Sequence, residues 1–85
     1  METITTHAIT LHNDEINSLI YIMACLMRHC GHNPIQAEQC TLITHNNKKC
    51  DIKLGVWEDM YNINENLISL GLITTITEYE GNMYK

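Results

Sequence analysis

The sequence has little positive charge. Five Lys and Arg stand against ten Asp and Glu in 85 residues, a net charge of −5. Lys48, Lys49 and Lys53 form the one basic cluster, too small to track a phosphate backbone, so a nucleic-acid partner is not expected. An acidic surface suits a protein that meets cationic groups such as a free amine. No apolar run approaches the roughly 18 residues that cross a bilayer. The N-terminus lacks the basic-then-apolar order of a signal peptide, and the chain reads as cytoplasmic. A Gly-rich phosphate loop and a G-x-S-x-G elbow are also missing, which argues against the common nucleotide-binding and serine-hydrolase chemistries.

What is present is a chain for one domain, 45% hydrophobic, which fits a globular fold. It carries four cysteines, Cys25, Cys30, Cys40 and Cys50. Without an export signal a disulfide framework is not expected. His29 and His32 lie beside Cys30, which raises zinc. Structural zinc sites, however, pair ligands two to four residues apart on two knuckles. Cys25 and Cys30 would lie about 140° apart around one helix, and Cys40 and Cys50 make no second knuckle. Buried thiols acting as small hydrophobes are the stronger reading, and no metal or cofactor is expected.

Local patterns predict the order β-α-α-β-α-β. Residues 4–11 alternate as a Thr- and Ile-rich strand. Residues 17–30 show an apolar stripe of Ile16, Leu19, Ile20, Met23, Leu26, Met27 and Cys30 at steps of three and four, the mark of a helix. Gly31 supplies its stop. Asn33 and Pro34 make a good N-cap and first residue for a second helix, whose apolar side should hold Ile35, Ala37, Cys40, Leu42 and Ile43. That helix ends at "THNNKK". From Cys50 to Trp57 the chain alternates, with Cys50, Ile52, Leu54 and Val56 on one face. A third helix spans about 58–70, lined by Met60, Ile63, Leu67 and Leu70 and ended by Gly71. Residues 72–79 make a last strand, and 80–85 a frayed tail. The expected fold class is α+β: a two-layer sandwich in which a three-stranded antiparallel sheet carries three helices on one face and solvent on the other.

The junction between first strand and first helix reads "LHNDEINSL". Asn13, Asp14 and Glu15 are residues that suit a turn and a helix start. Their adjacency does not make a catalytic dyad, because consecutive side chains diverge. Each Cys falls within or beside an apolar pattern, where thiols are usually inert. Catalysis is therefore not expected. His7, His12, His29 and His32 read as structural histidines, and Trp57 as a helix-start or rim residue.

This junction resembles the N-D-D/E motif of the Clp protease adaptor family, ClpS. The later run "LITH" places His45 at the distance from the motif seen in that family, with no gap between Leu19 and His45. Ala37 and Gln39 also match common family residues, and the element order agrees. The resemblance covers about residues 5–78 and is closest over 9–45. It implies a non-enzymatic domain of the same fold that binds the free N-terminal Leu, Phe, Tyr or Trp of a degradation substrate. The substrate would then pass to a ClpA-type AAA+ unfoldase coupled to the ClpP peptidase. By position, Asn13 and His45 would hydrogen-bond the α-amino group, and Asp14 would orient the peptide and add negative charge. Leu19 would sit at the pocket mouth. Asn17, Ile22, Thr41, Thr44 and Leu72 would line the pocket, and Glu58 would dock the unfoldase. The chain departs from the family where bulkier apolar residues commonly stand in place of Thr41 and Thr44; two hydroxyls make the pocket more polar. Two alternatives remain open at this point: a plain docking domain like the C-terminal domain of the ribosomal stalk protein, and a thiol or metal protein using the Cys/His set.

Overall fold

The computed structural model describes residues 6–79. The elements follow as β1 (His7–His12), α1 (Leu19–Cys30), α2 (Pro34–Asn47), β2 (Lys49–Gly55), α3 (Trp57–Ser69) and β3 (Thr74–Glu78). The strands form one antiparallel sheet in the order β2-β1-β3. The fold class is the expected one, and strand boundaries differ by a few residues. The start of the first strand at residues 4 and 5, and the expected tail at 80–85, lie outside the described residues.

Local chemistry explains the helix ends. Ser18 caps α1, its side chain accepting from the Tyr21 N–H at 3.1 Å. Asn33 and Gln36 exchange reciprocal bonds in a capping box, with Pro34 following. α3 closes on Gly71 at φ 93°: the Leu72 N–H reaches the Leu67 carbonyl at 3.1 Å and the Gly71 N–H reaches that of Ile68 at 2.9 Å. This paired geometry needs a left-handed residue, which glycine adopts without a Cβ penalty.

The core is made of Ile9 and Leu11 from β1, Ile22, Cys25, Leu26 and Cys30 from α1, Ala37 from α2, Ile52, and Met60, Leu67 and Leu72. Two expected stripes are corrected here. In α1 the buried set is Ile22, Cys25, Leu26 and Cys30, whereas Leu19, Ile20 and Met27 are exposed, as is Ile16 in the preceding loop. Apolar residues occupy most of this helix's circumference, so spacing alone fits more than one phase. In α2 the buried residues are Ala37, Thr41 and Thr44; Ile35, Leu42 and Ile43 face outward. The Thr44 hydroxyl donates to the Cys40 carbonyl at 2.8 Å, which makes its burial affordable within the helix.

β2 also departs from simple alternation. Ile9 pairs with Lys53 but Thr10 pairs with Asp51, so Ile52 is an extra residue in a β-bulge. The bulge exchanges the two faces beyond it. Lys53 therefore stands opposite core residue Ile9, and its ammonium donates to the Cys30 carbonyl at 3.2 Å. Leu54 pairs with Ala8 on the opposite face and is exposed, together with Asp51, Thr75 and Thr77. That face is the solvated one. Among the described residues no helix is long and apolar enough to cross a membrane.

Candidate functional site

The junction loop is built by Asp14. Its Oδ1 accepts from the backbone N–H of Ile16 at 2.7 Å and of Asn17 at 2.9 Å, and its Oδ2 accepts from Asn17 Nδ2 at 2.6 Å. Partial burial works against the charged form. The Asn17 and Ile16 hydrogen bonds outweigh it and hold the carboxyl below its ordinary pKa. Asp14 is thus a carboxylate at neutral pH even though most of its acceptor capacity holds the turn.

Three further bonds fix where the loop sits. The Asn13 N–H donates to the Lys48 carbonyl at 2.8 Å, the His12 N–H to that of Ile73 at 2.9 Å, and Asn17 Nδ2 to that of Gly71 at 2.9 Å. Lys48 ends α2 in the left-handed region, φ 84°, and its N–H bonds the Thr44 carbonyl at 2.9 Å. The loop is therefore tied to the last turn of α2, where His45 lies, and to the end of α3.

Asn13 Nδ2 donates to Glu15 Oε2 at 3.2 Å. The bond turns the amide so that its carbonyl oxygen is free to accept. Glu15, expected to cap α1, does not do so: Ser18 is the cap.

Leu11, His12, Asn13, Asp14, Leu19, Ile22, Thr41, Thr44 and His45 line one concavity of ≈210 Å³, a volume that includes space open to solvent. Seven of these are the residues singled out from sequence. Leu19 is 39% exposed at its edge, Ile22 is buried, and His45 is exposed. Asn17 and Leu72 are not in this wall. Asn17 braces the loop through Asp14 and Gly71, and Leu72 is 3% exposed within the core. Leu11 and His12 were missed. Their place as the last two residues of the strand feeding the loop is the signal that could have included them. Glu58 lies in the first turn of α3 and is exposed, outside this concavity.

The remaining residues fall as follows. Trp57 begins α3, half exposed, with His7 edge-on at 5.2 Å and Tyr61 at 5.5 Å between ring centroids. His32 Nε2 lies 2.7 Å from the Ile52 carbonyl. Cys25 and Cys30 are buried, and Cys40 and Cys50 are half-buried. Burial pushes the Cys30 thiol up to about 11, despite Lys53 nearby, and the Cys50 thiol up to about 12. Such thiols stay protonated and are poor nucleophiles. Among the described residues no three His, Cys, Asp or Glu side chains are placed to share a metal ion.

A polar loop pinned beside a shallow, partly apolar recess, with an imidazole at the same recess, marks a small α+β domain with a candidate binding site between the first strand and two helices. The chain belongs to the ATP-dependent Clp protease adaptor protein ClpS family, whose profile matches residues 2–70. The fold is that of Agrobacterium tumefaciens ClpS2, solved bound to L-phenylalaninamide: TM-score 0.87 and 11% identity, over 91% of this chain and 100% of that one. No curated protein matches the sequence.

Proposed function

We propose that this Clp protease adaptor binds the free N-terminal residue of substrate proteins, with Asn13, Asp14 and His45 receiving the α-ammonium. Leu19, Ile22, Thr41 and Thr44 would enclose the first side chain. The observation that carries the reading is that Asn13, Asp14 and His45, which bear an amide, a carboxylate and an imidazole, line one partly apolar hollow. A protonated amine offers three donors and one charge, which these acceptors match. Each hydrogen bond to a charged group contributes about 1.5 to 3 kcal/mol, and burying a large apolar side chain about as much. Less the cost of fixing the peptide, this gives binding in the micromolar range. ClpS2 was solved with an amino-acid amide, a ligand with the same free amine and apolar side chain, which supports the assignment. The site binds and does not catalyse. Delivery would be to the N-terminal domain of a ClpA- or ClpC-type AAA+ unfoldase, with Glu58 on α3 at the docking surface.

Titration with a Phe- or Leu-initiated peptide and its N-acetylated twin tests the reading. The free amine should bind at least tenfold tighter; equal affinity would exclude recognition of the amine. His45→Phe, which keeps a ring and removes the acceptor nitrogens, should weaken binding by roughly tenfold. Unchanged affinity would remove His45 from the acceptor set.

A further inference from the structure

The hollow contains one hydroxyl with nothing to bond. Thr41 is 2% exposed, lines the hollow, and its Oγ1 is buried with no hydrogen-bond partner. Thr44, one turn on, is different: its hydroxyl proton is committed to the Cys40 carbonyl. The wall thus offers one uncommitted donor-acceptor at Thr41 and one acceptor at Thr44. A buried hydroxyl without a partner is destabilising, because it has lost water and gained nothing. Such a group persists in few places, and each one calls for a reason.

Resting on the amine-binding reading above, we propose that Thr41 is a specificity determinant: it favours a first residue whose side chain carries a hydrogen-bonding atom over the apolar residue of the same shape. A phenol or side-chain amide could both give to and take from the Thr41 hydroxyl, and could also give to Thr44. A phenyl or isobutyl group filling the same space leaves the hydroxyl unpaired, and sites with buried polar groups discriminate against ligands that fail to pair them. The unpaired state of Thr41 is then the ligand-free half of a pair completed on binding.

The test uses the whole chain and two matched sets of peptides, Tyr- against Phe-initiated and Asn- against Leu-initiated, each with an N-acetylated control. In the native protein the polar member of at least one set should bind tighter by on the order of tenfold, the size of one net hydrogen bond. Thr41→Val, which keeps the shape and removes the hydroxyl, should bring that set within about twofold. Thr41→Ser should keep the preference. Equal affinities within both sets in the native protein, with acetylated peptides still rejected, would overturn the specificity claim and leave amine recognition standing. Acetylated and free peptides binding alike would overturn both. Thr41→Val should also melt at a higher temperature than the native chain, since it removes an unpaired buried hydroxyl. A lower melting temperature would mean that the hydroxyl is paired in the free protein, against the proposal.

Discussion

Asp14 shows how one residue both frames a loop and lines a hollow. Its carboxylate closes the turn through Ile16 and Asn17 and still brings a negative charge to the hollow. Because its folded pKa is depressed, its contribution to stability is present above the ordinary carboxylate value of about 3.9 and is lost as pH falls through the lower folded value. The gap in urea midpoint between native protein and Asp14→Ala should therefore be constant from pH 7 to 5 and narrow as pH falls below the ordinary carboxylate value. A gap that persists to pH 2 would mean the charged form is not what holds the turn. Asn13, Asp14, Leu19, Ile22, Thr41, Thr44 and His45 line the hollow as expected, because a short motif and one histidine spacing fix their positions. The places of Asn17 and Leu72 were not legible, because whether a loop or strand-end side chain faces a hollow or braces a backbone depends on contacts 54 residues away, as between Asn17 and Gly71.

At the scale of elements, most caps and stops and the buried face of α3 were readable, whereas the cap of α1 and the phases of α1 and α2 were not. Asn33, Pro34, Gly31 and Gly71 act through local backbone chemistry, so sequence reveals them directly. The buried face of α1 is chosen by what the helix packs on, and α1 is apolar on several sides. α2 buries Ala and Thr in place of its larger apolar residues. The bulge at Ile52 is set by pairing with β1 and left no mark in the alternation of β2. Lys48 is the element-scale cost of the site: a left-handed non-glycine residue is disfavoured by roughly 1–2 kcal/mol, and its carbonyl is what the Asn13 N–H meets. Lys48→Gly should stabilise the chain by up to about 1 kcal/mol, reduced by glycine's extra unfolded-state freedom and the loss of a cation at the helix C-terminus. Lys48→Val should destabilise it. Chemical denaturation of both variants checks the pair, and a destabilised glycine variant would contradict the conformational argument.

Across the whole molecule, cysteine reads as packing material. Cys25 and Cys30 belong to the core beside Leu26, and the Cys30 and Cys50 thiols are held far above neutral pH in their ionisation. At pH 8 the labelling of Cys25 and Cys30 by a thiol reagent should follow the rate or extent of unfolding, rising with urea along the same curve as circular dichroism. Rapid labelling of either without denaturant would show a local opening that the packing does not provide. The overall topology was legible from the order of elements, since three short strands and three helical segments in one small chain leave few sandwiches to build.

The three tethers of the junction loop have a further consequence. Through them one short segment is bonded to the turn that follows α2 and to the turns between α3 and β3, so three chain crossings meet at one end of the sheet. The wall of the hollow, drawn from residues 11–22 and 41–45, is therefore held in place by backbone groups of Lys48, Gly71 and Ile73 that do not line it, so the geometry of the recess is set from three distant parts of the chain.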